Sequence, residues 1–174
     1  MTTSISKLSD LLSEKIRATD QVIKENLRSR ETAIIGDIAS HLINSGGKRI
    51  RPLLTLAVSE LFDYRGDKDI FLAAAIEYIH SATLLHDDVI DRSQKRRGLK
   101  TANIIWTNKY SVLVGDFLFS RAFQLMVKTG SLRVMKTLSD ASAIISQGEI
   151  LQVGIEKKID ASEEDYLNVI KGKT

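Results

Sequence analysis

The sequence predicts an all-α fold, on three observations. Apolar residues recur at three- and four-residue steps along nearly the whole chain. One proline and ten glycines among 174 residues leave little room for turn-rich β architecture. Neither an internal repeat nor a low-complexity linker interrupts the pattern. A chain of this length can bury a core of its own, so residues 1–174 are read as one unit.

The elements follow in order. Ile5, Leu8, Leu11, Leu12 and Ile16, with charged residues between them, predict a first amphipathic helix. Ile34, Ile35, Ile38 and Leu42 predict a second, which the run Asn44-Ser45-Gly46-Gly47 stops. Pro52 suits the first turn of a third, Leu53 to Phe62, where its missing N–H costs nothing. After a break at Arg65-Gly66-Asp67, a fourth helix from about Lys68 to Asp91 is apolar almost all round, the mark of a central buried helix. Beyond a charged loop, Thr101 to Val127 reads as one long helix, broken at Thr129-Gly130. Leu132 to Val153 follows, and then a polar connection from Glu156 to Ala161. Ser162 starts the last helix as an N-cap, with Glu163, Glu164 and Asp165 in its first turn and an apolar face at Leu167, Val169 and Ile170.

Composition excludes several classes. The formal charge of +3 is too small for the dense basic surface of a nucleic-acid binder. With no cysteine there is no disulfide, thiolate zinc site or thiol nucleophile. Residues 1–10 lack the apolar core of a signal peptide. No uncharged apolar stretch approaches the ~20 residues of a membrane span, so the cytoplasm is the expected location.

The chemistry concentrates at the end of the fourth helix. His86-Asp87-Asp88-Val89-Ile90-Asp91-Arg92-Ser93-Gln94-Lys95-Arg96-Arg97-Gly98 holds three carboxylates and four strong bases. Acids at a helix C-terminus oppose the macrodipole. Asp87 and Asp91, spaced i, i+4, stand one turn apart on one face and repel unless a cation lies between them. Mg²⁺ takes carboxylate oxygens and fills its other positions with water and phosphate, and the bases that follow can receive that phosphate. Asp88 points about a quarter-turn away and is a lesser ligand, if one at all. The bland alternative is an acidic, solvated helix end. Lys48 and Arg51, three apart at a helix start, suit an anion as well, where free backbone N–H groups add to the attraction.

These motifs, taken in order, resemble the trans-polyprenyl diphosphate synthases of the long-chain, octaprenyl- or decaprenyl-like type. The resemblance runs through Gly46-Gly47-Lys48-Arg49-Ile50-Arg51-Pro52, Glu77-Tyr78-Ile79-His80, the acidic run with Arg96-Arg97-Gly98, and Thr101-Ala102-Asn103. It continues through Trp106, Val114-Gly115-Asp116-Phe117-Leu118, Gln147-Gly148-Glu149 and Lys173-Thr174. It implies the N-terminal half of the isoprenoid synthase helical bundle, with the central buried helix carrying the first DDxxD motif. The reaction implied is head-to-tail prenyl transfer, in which an allylic diphosphate ionises, isopentenyl diphosphate attacks the cation and a proton is lost, giving a long all-trans chain such as a quinone side chain.

The same resemblance assigns roles. Asp87, Asp88 and Asp91 are the catalytic acids, and Asp87 and Asp91 hold Mg²⁺. Lys48, Arg51, His80 and Arg97 bind isopentenyl diphosphate; Arg96, Lys173 and Thr174 bind the allylic diphosphate. Arg92 and Lys95 read as surface charges. Ala82, Thr83 and Ile79, before the acids, are small or unobstructive where short-chain members place bulky aromatics, which implies an open tunnel and a long product. A small Ala82 also permits close helix packing.

The sequence departs from the family in two ways. Lys100, Thr107 and Tyr110 stand where proline, glycine and a small residue are usual, and no acid follows Asp165, so the second aspartate-rich motif is absent. Members are roughly twice this length, so the chain reads as a single partial synthase domain, inactive alone unless complemented. Three arrangements follow: half of a split synthase, a truncated non-catalytic remnant, or a helical partner subunit of another synthase. A homodimer or a complementing subunit is the expected assembly. A phosphohydrolase of the HD type needs further histidines than His41 and His80 supply, and a class I terpene cyclase does not explain Gly-Gly-Lys-x-x-Arg-Pro. A purely structural helical protein does not explain the clustered anion-binding residues.

Overall fold

The computed structural model describes residues 4–27, 32–156 and 158–173. The chain divides into two compact units, Met1–Gly130 and Ser131–Thr174. The first contains helices α1 (Ser4–Leu11), α2 (Ser13–Asn26), α3 (Ala33–Asn44), α4 (Ile50–Leu61) and α5 (Lys68–Ile90). A two-stranded antiparallel hairpin follows, β1 (Lys95–Arg96) with β2 (Leu99–Lys100), and then α6 (Ala102–Ile105) and α7 (Asn108–Lys128).

α5 is the central helix, as its apolar circumference predicts, and packs against α7, α4 and α2. Its small residues Ala73, Ala74, Ala75, Ser81 and Ala82 are all buried, which lets three neighbours approach at once. The bulk comes from larger residues, with Leu85 on α5 and Leu118 and Leu125 on α7 fully buried. Each such leucine contributes about 1.5–3 kcal/mol by leaving water. A second cluster of Leu12, Leu53, Leu56 and Ala73 ties the α1–α2 junction to α4 and α5. Two polar links fasten α2 to α5. The Tyr78 hydroxyl, fully buried, donates to the carbonyl of Ile23 at 2.5 Å. Lys15 Nζ meets the buried Asp69 Oδ2 at 2.8 Å, and that bond raises the lysine pKa above its ordinary value.

Three local expectations are corrected. The first predicted helix is two, because the chain breaks at Leu12, whose side chain enters the cluster. Most of α2 carries a sparse apolar signal, with only Thr19 and Ile23 buried, and tertiary links hold it instead. The single helix expected from Thr101 is interrupted at Trp106 and Thr107. Thr107 is extended (φ −177°, ψ 162°), and its hydroxyl accepts the N–H of Tyr110 at 3.2 Å, which caps a new helix. The charged loop before it is a hairpin, with strands too short to show a two-residue period.

The second unit contains α8 (Leu132–Ile155) and α9 (Glu163–Lys173). They meet at glycines: a Cβ on Gly148 would stand 2.8 Å from the backbone carbon of Gly172. The predicted N-cap is present. Ser162 Oγ accepts the N–H of Asp165 at 3.1 Å, while Asp165 Oδ2 accepts the N–H of Ser162 at 3.0 Å, a reciprocal capping box. Those bonds lower the Asp165 pKa. Val169 is buried in this unit, whereas Leu167 and Ile170 are exposed. Among the described residues no helix is long and apolar enough to cross a membrane.

Candidate functional site

The carboxyl end of α5 places the acids. Asp87 is half-buried in the last turn of α5 and Asp91 is its exposed C-cap, with the Asp91 N–H donating to the Asp87 carbonyl at 2.8 Å. The two therefore stand one turn apart at the helix end, as their spacing predicts. Asp88 does turn away, and it is only 1% exposed. Its carboxylate meets Arg96, whose Nε lies 3.0 and 3.1 Å from the two oxygens and whose Nη2 lies 2.9 Å from Oδ1. Among the described residues no group of three or more acids and histidines is arranged to hold a metal ion.

Arg96 reaches Asp88 because the chain reverses at once. Lys95 pairs with Lys100 and Arg96 with Leu99, leaving Arg97 and Gly98 as a two-residue turn. Both adopt left-handed φ values, 52° and 83°, as the favoured hairpin turn with the strand twist requires. The hairpin is fastened at its base. Asn103 Nδ2 donates to the carbonyls of Asp88 (3.2 Å) and Ser93 (3.3 Å), and Thr101 Oγ1 donates to Ser93 O at 2.6 Å. The second strand is held by His41 Nε2, 2.8 Å from the carbonyl of Lys100, and the His41 ring meets Trp106 edge to face at 5.4 Å between centroids.

The turn projects Arg97 toward the loop before α4. A Cβ on Gly47 would stand 2.9 Å from Arg97 Nη1, so the guanidinium lies on bare backbone. Gly46 has φ 90°, a glycine conformation, and Arg49 has φ 47°. Arg49 is the residue that sequence reasoning passed over. It is paired with Glu77, mostly buried on α5, and its Nε lies 3.5 Å from Asp20 Oδ1 on α2. These links anchor the loop and leave its neighbours Lys48 and Arg51 exposed. The signal that points to Arg49 is Glu77 itself, a carboxylate in an apolar helix that requires a cation.

His80 is half-buried on α5, two turns before Asp87. Burial lowers its pKa first, then the charge of Arg51; Glu77 opposes them, while Arg97 and Arg96 lower it further. Arg51, at the start of α4, and Arg96 and Arg97, in the hairpin, thus act together on the charge of His80 from two separate stretches of sequence. Such a cluster of cations, with a hydrogen-bonding ring among them, suits a polyanion.

Of the residues read for product length, Ala82 is fully buried, while Ile79 and Thr83 are half-buried and one turn apart on α5. His86 is fixed against α7: its Nε2 lies 3.1 Å from the Val112 carbonyl and 3.4 Å from Asp116 Oδ1. Gly115 makes room for it, since a Cβ there would come 2.2 Å from Nε2. In the second unit Lys173 Nζ lies 3.0 Å from Glu149 Oε1 and donates to Gln152 Oε1 at 2.7 Å. Thr174 lies outside the described residues.

Comparison with known proteins follows this geometry. The family model described as polyprenyl synthetase matches residues 32–174. The octaprenyl diphosphate synthase of Escherichia coli (strain K12) is 41% identical over 171 residues, which is 98% of this chain and 53% of that protein. The crystal structure of a decaprenyl diphosphate synthase from Rhodobacter capsulatus superposes with a TM-score of 0.94 at 49% identity, over 98% of this chain and 52% of that one. A polyprenyl synthase from Caulobacter crescentus, crystallised with calcium and isoprenyl diphosphate, gives a TM-score of 0.94 at 45% identity, over 100% of this chain and 53% of that one. The chain spans about half the length of the curated relatives it matches.

Proposed function

Because the chain belongs to the polyprenyl synthetase family, we propose that it contributes the isopentenyl diphosphate site and the first metal site of a long-chain prenyltransferase. The observation that carries this reading is that the hairpin after α5 lays Arg97 on Gly47, beside Lys48, and bonds Arg96 to Asp88, next to Asp87. One end of a helix thus presents paired carboxylates beside a cluster of cations. Diphosphate chemistry needs both.

Lys48, Arg51, His80 and Arg97 are assigned to isopentenyl diphosphate. His80, held neutral, donates a hydrogen bond to the anion, while the guanidinium groups supply charge and forked donors. Asp87 and Asp91 fit Mg²⁺, being two hard oxygen donors one turn apart at the end of α5, with Asp91 open to solvent. Bound there, Mg²⁺ would neutralise charge on a leaving diphosphate. Arg96 adds its positive charge for the allylic diphosphate while bonded to Asp88. Lys173 and Thr174 keep the role of diphosphate ligands that the family resemblance gives them, and Ile79, Thr83 and Ala82 that of setting product length. We read residues 1–174 as the N-terminal part of one synthase domain, cytoplasmic, whose catalysis also needs the second acidic motif. The relative from Caulobacter crescentus, solved with a divalent ion and an isoprenyl diphosphate, supports this ligand chemistry.

The test is calorimetric titration of the chain with isopentenyl diphosphate, followed by incorporation assays with an allylic primer and Mg²⁺. Binding by the chain alone is expected, with incorporation only when a polypeptide carrying the second acidic motif is added. Absence of isopentenyl diphosphate binding would overturn the reading.

A further inference from the structure

We propose that Asp88 and Arg96 are a positioning pair: Asp88 acts on the diphosphate site through Arg96 and the hairpin, and so places the Arg97 guanidinium, without touching metal or substrate. The inference rests on the proposed function above. Asp88 follows the half-buried Asp87, yet it is 1% exposed and directs its carboxylate into the protein. Both of its oxygens are engaged side-on by Arg96, at 2.9 to 3.1 Å. A ligand role would require the carboxylate side chain, 2% exposed, to leave that fork and give up its charged partner, which is unfavourable.

The main chain of Asp88 acts on the same element. Its carbonyl accepts the N–H of Ser93 at 2.9 Å and Asn103 Nδ2 at 3.2 Å. One residue thus holds the base of the hairpin by its backbone and the first strand by its side chain. The second strand is fixed by His41 at the Lys100 carbonyl and by Thr101, which bonds the Ser93 carbonyl. With both strands held, the two-residue turn has little freedom. Arg97, at that turn, then lies on Gly47 beside Lys48. Arg96 and Arg97 are adjacent in sequence but differ in their link to Asp88: Arg96 bonds it directly, and Arg97 is placed by the hairpin that this bond fastens.

The sign of one measurement separates positioning from a charge or ligand role. A carboxylate near an anion site repels the anion, so neutralising it without metal present tightens binding if charge is all that matters. If Asp88 positions Arg97, neutralising it weakens binding instead. Asp88→Asn and Arg96→Lys are compared with the unaltered chain by titration with isopentenyl diphosphate in EDTA. The ¹⁵Nε–¹Hε heteronuclear NOE of Arg97 is recorded alongside. Both variants are expected to bind about tenfold more weakly, as for loss of a well-placed charged donor, and the Arg97 NOE is expected to fall. Arg96→Lys keeps the charge and loses the fork, so it reports if Asp88→Asn fails to fold. Equal or tighter binding by Asp88→Asn, or an unchanged Arg97 NOE, overturns the proposal. If the unaltered chain binds no isopentenyl diphosphate, the functional reading fails, and the Arg97 NOE alone then decides on the pair.

Discussion

Arg97 rests its guanidinium on Gly47, so closely that a Cβ at that position would lie 2.9 Å from Nη1 and 3.4 Å from Cζ. The two residues come from the hairpin turn and from the loop before α4.

Gly47→Ala should therefore separate binding from stability. Gly47 does not have the left-handed φ of Gly46, so its backbone accepts alanine, and the atoms in the way are the far end of a flexible side chain. Stability should change by no more than about 0.5 kcal/mol. The displaced guanidinium should weaken isopentenyl diphosphate binding roughly fivefold to tenfold. Thermal melts and calorimetry read the two separately, and undiminished affinity would argue against a role for the Arg97–Gly47 contact.

His80 predicts a pH dependence. Its pKa lies below the ordinary 6.5, through burial and then Arg51. In the interval between the folded and unfolded values the unfolded chain binds more protons. The neutral ring's contribution to stability is therefore complete above pH 6.5 and is lost as pH falls through the lower folded value. A bound diphosphate reverses the local charge and favours the imidazolium, so binding near pH 6 should take up protons. Calorimetry in buffers of different ionisation enthalpy measures that uptake. Subtracting the uptake of His80→Gln removes the ligand's own titration, and identical uptake by the two proteins would exclude His80.

What was legible in the sequence depended on how far the signal reached along the chain. α5 was read correctly because its apolar run is long, and the one-turn spacing of Asp87 and Asp91 because i, i+4 on a helix is local geometry. The hairpin was missed: its strands of two residues show no period, and its hold on α5 depends on Asp88 meeting Arg96 across a chain reversal. Arg49 was hidden between Lys48 and Arg51, since helical counting paired those two and left it as a spacer. Its partner Glu77 is adjacent only after folding. The electrostatic influence of Arg51 and Arg97 on His80 was likewise hidden, because no local spacing joins those three positions.

Tyr78→Phe should isolate stability from binding. The hydroxyl, buried beneath α2, donates to the Ile23 carbonyl, and its removal leaves that carbonyl without this donor in a dry site. The carbonyl keeps the N–H of Leu27, 3.2 Å away, so a loss of about 0.5–1.5 kcal/mol is expected in chemical denaturation. Isopentenyl diphosphate affinity at a temperature where the variant stays folded should match that of the unaltered chain. A weakened affinity there would mean that the α2–α5 link extends its influence to the site.

The residues before the acids make the last prediction. Ile79 and Thr83 lie half-buried and one turn apart, whereas Ala82 is fully buried. Phenylalanine at Ala82 has no space to enter and should cost about 1–3 kcal/mol by overpacking. Any shortening of product by Ala82→Phe is therefore confounded by damage to the fold. Thr83 is only half-buried, so phenylalanine there has room that Ala82 lacks. Its cost to the backbone is small, because the threonine hydroxyl bonds only to its own helix, at the His80 carbonyl. In an enzyme reconstituted with the complementing polypeptide, Thr83→Phe should shorten the prenyl product while leaving the melting temperature nearly unchanged. Chromatography of the hydrolysed products reads the chain length. A product of unaltered length from a fully folded Thr83→Phe enzyme would show that this face of α5 does not line the path of the growing chain.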